Sequence, residues 1–452
     1  MPRRHQMRCL GIAVVLLICS PATAPTAAAD DLDARVVAEV PALLATYEHL
    51  HRNPELSYHE EQTAALLAGK LRDLGFEVTE RVGDYGVAGR TSYGFVAVLE
   101  NGAGPTVMVR TDLDALPVEE RTGLPYASRV RVETEAGEVG VMHACGHDLH
   151  MTSFLGAATL LSKGREGWAG TLVMIGQPAE ERGAGARAML DGGLYTRFPK
   201  PDFVVALHTS AALPAGTVGH RAGYALASVD SVDVTMRGAG GHGAYPHTTK
   251  DPVVLAAELV MALQTIVSRE VPPLDPAVVT VGALNAGTKH NIIPDEAHLQ
   301  ITVRSYKPEV RRLILAAIER IARGVAIAGG VPEERMPIVR IAEDEATPAT
   351  FNDPGLTARV AAAAAAALGA ERVVEVDPVM GGEDFSRFGL DTGVPIAMLW
   401  LGAVDPERHR LAQEGGPALP SLHSSEFAPL PAPAIATGVT VLTAAVLELM
   451  GG

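Results

Sequence analysis

The sequence predicts an α/β protein: a main domain with a mostly parallel sheet flanked by helices, and a smaller ferredoxin-like α+β domain inserted into it. Short apolar strands alternate with amphipathic helices from residue 30 to about residue 219, which is the pattern of a parallel sheet. Between residues 222 and 342 the order of elements changes to β-α-β-β-α-β, the split ferredoxin-like order. The first pattern then returns from residue 343 to the end of the chain.

Each element of the main domain has its own signal. Helical periodicity of apolar residues covers residues 32–53 and 60–74, and the second helix is expected to end at Gly75. Short apolar runs predict buried strands at residues 95–99, 106–111, 171–176, 203–207 and 394–401, and further helices at 360–368 and the C-terminus. Ligands in open α/β sheets bind beyond the carboxyl ends of the strands, so functional residues are expected there.

The inserted domain is predicted from four strands and two helices. The strands are expected at residues 229–237, 277–284, 297–304 and 336–341, and the helices at 251–269 and 308–327. The resulting division of the chain is a signal peptide at 1–29, the main (catalytic) domain in two parts at 30–221 and 343–452, and the inserted domain at 222–342.

The N-terminus is typical of an export signal. Arg3, Arg4 and Arg8 precede an apolar core at residues 10–19, and three alanines at residues 27–29 offer a cleavage site. We therefore expect a periplasmic or secreted bacterial protein. No later segment looks long and apolar enough to cross a membrane.

Charge and cysteine content narrow the function. The 452 residues carry a formal net charge of −16, which repels phosphate backbones and argues against nucleic-acid binding. Cys9 and Cys19 would leave with the signal peptide, so Cys145 is the single thiol expected in the mature chain. A lone thiol in an oxidising compartment is either a tolerated buried residue or a thiolate protected by a metal ion.

The densest group of ligand-type side chains lies between His143 and His150. Cys145 and His147 are two residues apart, so both side chains point to one side if this loop is extended. Thiolate and imidazole suit zinc and similar transition metals. A polar loop with solvated histidines explains the same residues, so a metal site needs ligands from elsewhere in the chain.

Further candidates follow the ends of other predicted strands. Glu180 and Glu181 come shortly after the strand at 171–176, and adjacent side chains in an extended chain point in opposite directions. One carboxylate can therefore bind a metal while the other acts on a water, although a solvated acidic loop also explains the pair. His208 follows the strand at 203–207, where a hydrogen-bonded core histidine is the alternative to a ligand.

Three more residues are candidates for the site only when they are considered together with the others. His423 lies in a polar stretch near the C-terminus and carries little information by itself. Asp112 and Asp114 follow another predicted strand, where they could orient ligating imidazoles or stabilise a turn. The metal-site hypothesis depends on convergence, because several strand ends present ligand-type residues toward one edge of the sheet.

Eight motifs in this order make the chain resemble the aminoacylase-type metallo-amidohydrolase/peptidase family, in the branch of hippurate hydrolase, indole-acetyl-amino-acid hydrolases and aminobenzoyl-glutamate hydrolases. The resemblance covers nearly the whole mature chain. Its motifs are LHRNPELS at 50–57, RTDLDALP at 110–117, MHACGHDLH at 142–150, PAEE at 178–181, GGHGAYPH at 240–247, NIIP at 291–294, GEDF at 382–385 and LHS at 422–424.

The resemblance implies two divalent metal ions, which could be manganese, zinc, cobalt or nickel. Cys145 would bridge them, with His147 and His208 completing one site and Glu181 with His423 the other. It also implies that the inserted domain is a lid and dimerisation domain of a homodimer.

The resemblance implies hydrolysis of the amide bond of N-acyl amino acids or small N-blocked peptides, with Glu180 as the general base. His242 and Asn291 of the inserted domain would reach the substrate, across a dimer interface, and His242 would stabilise the oxyanion. Arg304 would face the free carboxylate of the substrate, for which a guanidinium group is well shaped.

The chain departs from the family pattern at four positions, which leaves the substrate preference open. These positions are Arg182 and Gly382 near the motifs of the main domain, and Ala239 and Ile301 in the inserted domain. Three alternative functions also stay open: a thiol hydrolase with Cys145 as nucleophile, an exported metallo-carboxypeptidase or dipeptidase, and a non-catalytic binder of acyl-amino acids.

Overall fold

The computed structural model describes residues 27–134, 137–343, 346–390 and 392–451. Its α-helices are α1 Ala27–Arg52, α2 Glu61–Asp73, α3 His147–Lys163, α4 Gly185–Asp191, α5 Leu194–Arg197, α6 Pro252–Thr265, α7 Pro308–Ala328, α8 Pro354–Leu368, α9 Arg387–Leu390, α10 Pro406–Gln413 and α11 Pro431–Met450. Its strands are β1 Glu77–Glu80, β2 Phe95–Asn101, β3 Thr106–Asp112, β4 Arg131–Thr134, β5 Gly137–Gly140, β6 Gly170–Gln177, β7 Phe203–Pro214, β8 Val218–His220, β9 Gly223–Leu226, β10 Ser228–Arg237, β11 Gly241–His242, β12 Ala277–Ala286, β13 Ile292–Ile293, β14 Glu296–Ser305, β15 Ile338–Ile341, β16 Thr350–Asn352, β17 Val373–Glu375 and β18 Ile396–Val404.

The main domain is built on an eight-stranded sheet in the order β1-β2-β6-β3-β7-β18-β8-β17. Its four central strands, β6, β3, β7 and β18, run parallel, while β2 pairs antiparallel with β6. The central strands are buried on both faces, which explains their continuous apolar runs. This arrangement confirms the predicted fold class.

Helices cover both faces of this sheet. On one face α1, α3 and α11 pack against one another, and Gly156 of α3 is in such close contact with Val439 of α11 that an added Cβ would lie 2.3 Å from it. The C-terminal helix is 78% buried, so its apolar sequence reflects a position in the core. Helix α3 begins at His147, directly after Gly146, whose φ of 80° places the chain in the left-handed region.

The residues between 228 and 341 form a second sheet with its own core. Four antiparallel strands lie in the order β12-β14-β10-β15, which is the ferredoxin-like arrangement, and α6 and α7 pack on one face. Alternate residues of β10, including Val232, Val234 and Met236, point into this core. Contrary to the expectation from the sequence, the helical segment Pro252–Glu270 and the C-terminal helix are both long and apolar enough for a membrane span by length and composition. One third of the first segment is buried in the structure.

Two predictions need comment. Strand β7 does not end at Leu207: it runs to Pro214, because β18 continues to pair with it after the pairing with β3 stops at Ala206. His208 is therefore within a strand. The predicted signal peptide lies almost wholly outside the described residues, and the exact domain bounds stay a prediction.

Candidate metal centre

The candidate ligands lie together at one edge of the sheet, near the carboxyl-terminal parts of the central strands. Cys145 precedes α3, Glu181 follows β6, His208 lies on β7, and His423 lies in the loop before α11. The backbone N–H of His423 donates to the carbonyl of Ala144 at 2.9 Å, which ties the two distant segments together. Residues more than 270 positions apart in the chain thus form one site.

His147 has one free ring nitrogen in the centre of this site. Its Nδ1 donates to the backbone carbonyl of Asp114 at 2.8 Å, so Nε2 is the nitrogen left to face the other candidate ligands. Nε2 is buried without a hydrogen-bond partner among the described residues. It lies 3.8 Å from Glu181 Oε1 and 3.9 Å from Glu180 Oε2. Orientation of a histidine through its other nitrogen is typical of metal ligands.

His208 is oriented in the same way. Its Nδ1 donates to the carbonyl of Thr209 at 2.8 Å, and its Nε2 lies 3.6 Å from Cys145 Sγ. Burial, with a smaller effect of the nearby His150, lowers the pKa of His208 to about 3. The imidazole is therefore neutral, which is the form that binds a metal.

His150 lies near these residues, but both of its ring nitrogens are engaged. Nδ1 donates to Asp112 at 2.7 Å, and Nε2 accepts the backbone N–H of Thr209 at 2.7 Å. Because Thr209 also accepts the hydrogen bond of His208, His150 supports the strand segment that orients His208. Asp112 thus has the orienting role considered from the sequence, but it acts on His150.

Glu181 and His423 complete the group around Cys145. The Nε2 atom of His423 lies 3.6 Å from Glu181 Oε1, and that carboxylate oxygen is buried with no hydrogen-bond partner in the described chain. Potential ligand atoms of Cys145, His147 and His208 lie within 4.8 Å of one another, and so do those of Cys145, Glu181 and His423. Cys145 belongs to both groups.

These residues fit a pair of divalent cations. The donor set of thiol, imidazole and carboxylate suits transition metals, and buried donor atoms without partners in one cluster are explained by cations that bind them. Burial, and then the Glu181 carboxylate, raises the pKa of Cys145 well above its ordinary value. A nearby cation would stabilise the thiolate.

Glu180 is buried beside this cluster, next to two more carboxyl groups. Carboxylate oxygens of Glu180, Glu383 and Asp384 lie within 4.8 Å of one another. Burial, and then the Glu383 carboxylate, raises the pKa of Glu180 well above its ordinary value. A carboxyl group with a raised pKa is a stronger proton acceptor than an exposed one.

A buried arginine partly balances these charges. Arg110 donates to Asp112 at 2.7 Å, to Glu383 at 2.8 Å and to Gln177 at 2.9 Å. Gln177 in turn donates to Asp384 at 2.6 Å. The sequence indicates Arg110 only as part of a motif, but a charged residue within a buried apolar strand is itself a signal of such a network.

The three predicted substrate-binding residues are not placed alike. His242 and Asn291 are exposed neighbours, linked by a hydrogen bond from Gly243 N–H to the Asn291 carbonyl at 2.9 Å. Within the described ranges, no hydrogen bond, ion pair or ring contact joins either residue to the Cys145 cluster. Arg304 is half-buried on β14, and its guanidinium lies against Gly382, the residue before Glu383. Arg304 thus lies beside the segment that carries Glu383 and Asp384, the two carboxyl groups next to Glu180.

The departures from the family pattern have structural explanations in two cases. Ile301 is 3% exposed in the core of the inserted domain, so it does not line the site. A side chain at Gly382 would place its Cβ 2.1 Å from Val229 Cγ2, so glycine and this valine fit together. Arg182 is exposed beside the glutamate pair, and nothing in the structure explains its charge.

One buried histidine was not singled out as a ligand by the sequence. His143 is 2% exposed, and neither ring nitrogen has a hydrogen-bond partner in the part of the chain described. Burial is the main cause that lowers its pKa to about 4. It is thus a neutral side chain behind the Cys145 loop.

Comparisons with known proteins agree with this geometry. The model of peptidase family M20/M25/M40 matches residues 108–414. Hippurate hydrolase of Campylobacter jejuni is 39% identical over 345 residues, 75% of this chain and 82% of the relative. N-acetyl-L-cysteine deacetylase of Bacillus subtilis is 37% identical over 350 residues, 76% of this chain and 77% of the relative. Thermostable carboxypeptidase 2 of Saccharolobus solfataricus is 38% identical over 342 residues, 75% of this chain and 80% of the relative.

Solved structures share the architecture. A dinuclear metal-binding peptidase from Bacillus subtilis has a TM-score of 0.71 and 28% identity, over 92% of this chain and 100% of that one. An aminobenzoyl-glutamate utilization protein from Klebsiella pneumoniae has a TM-score of 0.62 and 21% identity, over 92% of this chain and 98% of that one. At 21% identity, the similarity to the Klebsiella pneumoniae protein shows only that the fold is shared.

Proposed function

The chain belongs to peptidase family M20/M25/M40 and is a metal-dependent amidohydrolase, and from this premise we propose that it hydrolyses the amide bond of N-acyl amino acids. The observation that carries the proposal is the position of Glu180. It is buried between the candidate ligand His147 and the carboxyl pair of Glu383 and Asp384, outside the two groups that contain Cys145 but within 4.8 Å of ligand atoms of His147 and Glu181. Relatives named for hydrolysis of hippurate and of N-acetylcysteine support the substrate class.

In the proposed mechanism Glu180 accepts the proton of the attacking water and returns it to the leaving amine. Its burial limits competition from bulk solvent for that proton. Cys145, His147, His208, Glu181 and His423 would hold two metal ions of manganese, zinc, cobalt or nickel. When bound, such ions supply Lewis acidity toward the amide carbonyl and a more acidic water.

Arg304 would make the enzyme selective for substrates that carry the free carboxylate of an amino acid. Its pKa is lowered by burial, and no carboxylate of the described residues lies within ion-pair distance of its guanidinium. A half-buried guanidinium beside the Gly382–Glu383 segment is suited to bind the free carboxylate of the substrate in a bidentate way. This contact would fix the scissile amide near Glu180.

We also propose a homodimer formed through the inserted domain. β12 is an edge strand, and Val253, Val254 and Met261 of α6 are exposed beside it, Met261 to 71%. An unpaired edge next to an exposed apolar helix face is suited to pair with a second copy. His242 and Asn291 would then serve the site of the partner, where His242 would stabilise the oxyanion.

Localisation remains a proposal from the N-terminal pattern of residues 1–29. We propose export to the periplasm or the medium after cleavage before Asp30. Mass spectrometry of the mature protein from a native host would give the N-terminus directly, and an intact residue 1 would contradict export.

The test of the proposed function is a substrate panel with metal-reconstituted enzyme. Hippurate and N-acetyl amino acids are compared with their carboxamide analogues, which lack the free carboxylate, and with dipeptides. We expect hydrolysis of the acyl-amino acids, its loss with chelator and its return with added metal. Faster cleavage of dipeptides would favour a peptidase, while activity that survives chelation would favour Cys145 as a nucleophile.

A matched variant separates binding from chemistry. Arg304→Gln is expected to raise KM at least about tenfold for acyl-amino acids, because a charge-assisted pair is lost, and to leave the carboxamide analogues unaffected. Equal effects on both substrate sets would contradict the role of Arg304.

A further inference from the structure

The turn that presents the glutamate pair has an unusual backbone. Ala179 adopts φ 48° and ψ 43°, the left-handed region, directly before Glu180. A residue with a Cβ adopts this conformation only when its surroundings hold it. In the described chain, positive φ at a non-glycine residue occurs at Tyr58, Arg81, Ala179 and His423. The turn before Glu180 therefore needs a specific contact.

That contact comes from Glu60, which is fully buried. Its Oε1 accepts the N–H of Ala179 at 2.8 Å and the N–H of Tyr58 at 2.9 Å, so a single oxygen binds two residues of left-handed backbone. Glu60 stands at the start of α2 but makes no side-chain cap to that helix. Glu55 fills this role instead, because its carboxylate accepts the N–H groups of Gln62 and Thr63.

A second carboxylate holds the other side of the same turn. Asp114 Oδ2 accepts the N–H of Glu181 at 3.1 Å and the hydroxyl of Ser57 at 2.6 Å. The residues before and after Glu180 are thus both fixed, and both contacts lead back to the segment 57–60. This segment has no atom among the candidate metal ligands.

We infer that Glu60 is a positioning residue of the hydrolase: by holding Ala179 in left-handed backbone, it sets the place from which Glu180 acts as the general base. The inference rests on the proposed function for the role of Glu180. The hydrogen bonds need only an acceptor oxygen, so a neutral side chain can make them. Burial, and then the Asp114 carboxylate, raises the pKa of Glu60 to about 8, in agreement with a neutral carboxyl group.

The kinetic test compares Glu60→Ala with Glu60→Gln and with the control Glu55→Ala, which removes the cap of α2 but not the contact with Ala179. Glu60→Ala should lower kcat by roughly tenfold or more, because a small displacement of a catalytic group is costly. KM should change less than about twofold, because the contacts that bind the substrate are not altered. The amount of bound metal should also be unchanged. Glu60→Gln should keep kcat within about threefold of wild type, because its amide oxygen accepts both N–H groups.

A double-mutant comparison tests the backbone explanation. Glycine adopts the left-handed region without a Cβ clash, so Glu60→Ala should cost markedly less kcat in the A179G background than in the wild-type background. The inference is overturned if both backgrounds show the same loss, or if Glu55→Ala lowers kcat as much as Glu60→Ala. Loss of metal from Glu60→Ala would also overturn it.

A readout independent of turnover keeps this test separate from the proposed function. Hydrogen exchange of the Ala179 amide is measured on the metal-loaded protein, and Glu60→Ala should accelerate it at least about tenfold relative to wild type and Glu60→Gln. If wild type hydrolyses no member of the panel, the proposed function fails while this exchange result still decides whether Glu60 holds the turn. Unchanged protection in Glu60→Ala would overturn the inference.

Discussion

Replacement of Arg110 by methionine should destabilise the protein strongly, because it removes the buried guanidinium that forms ion pairs with Asp112 and Glu383. The arginine is fully buried and makes charge-assisted hydrogen bonds to Asp112 and Glu383 and a third bond to Gln177. Two charge-assisted bonds at about 1.5–3 kcal/mol each suggest a loss of roughly 3–6 kcal/mol. Removal of one partner of a buried ion pair typically costs about 3–5 kcal/mol, which agrees with this sum.

The assay is urea denaturation of the metal-free proteins at pH 7, followed by circular dichroism. Arg410→Met is the matched control, because Arg410 also contacts two carboxylates, Glu407 at 2.7 Å and Glu414 at 2.6 Å, but its side chain is 52% exposed. We expect a much smaller loss of stability for this control, because solvent screens an exposed ion pair. A loss as small for Arg110→Met would refute the reasoning that burial makes the difference.

Two further predictions concern stability at high pH and assembly. Burial alone would lower the pKa of His51, but hydrogen bonds to Asp148 and Glu120 outweigh it and raise the pKa to about 9. The protonated His51 therefore stabilises the folded protein. This contribution is fully present below the unfolded-state pKa of about 6.5 and is lost as the pH rises through the folded-state pKa of about 9. The free energy of unfolding should fall by about 3 kcal/mol across this range. His51→Gln should flatten that fall in pH-dependent denaturation, and an unchanged slope would contradict the assignment. Met261→Glu should convert the dimer to a monomer in light scattering and lower kcat, since His242 would no longer reach a partner; an intact dimer would contradict the proposed interface.

Much of the fold could be predicted because local periodicity is strong in this chain. The helices and the central strands were expected near their observed bounds, and the ferredoxin-like order of the inserted domain followed from its alternating strands. The end of β7 was misjudged because polar residues follow Leu207. Its continuation depends on pairing with β18, which lies almost 200 residues later and leaves no local signal.

Part of the candidate site could also be predicted from the sequence. Its motifs indicate which residues are of metal-ligand type, and the structure brings Cys145, His147, Glu181, His208 and His423 together. The sequence does not show which ring nitrogen of His147 can bind a metal, nor that both ring nitrogens of His150 are engaged. Both facts depend on hydrogen bonds to residues that are distant in the chain. The contact of Glu60 with Ala179 spans 119 residues, so no sequence pattern pointed to it.

The proposed metal centre is tested most directly by measuring metal content and turnover together in three proteins: wild type, Glu180→Gln and Cys145→Ala. We expect two metal ions per wild-type chain, the same metal content in Glu180→Gln with turnover lowered about 10²–10⁴-fold, and loss of both metal and turnover in Cys145→Ala. Loss of metal from Glu180→Gln, or full metal content and activity in Cys145→Ala, would contradict a centre built on Cys145 with Glu180 as its base.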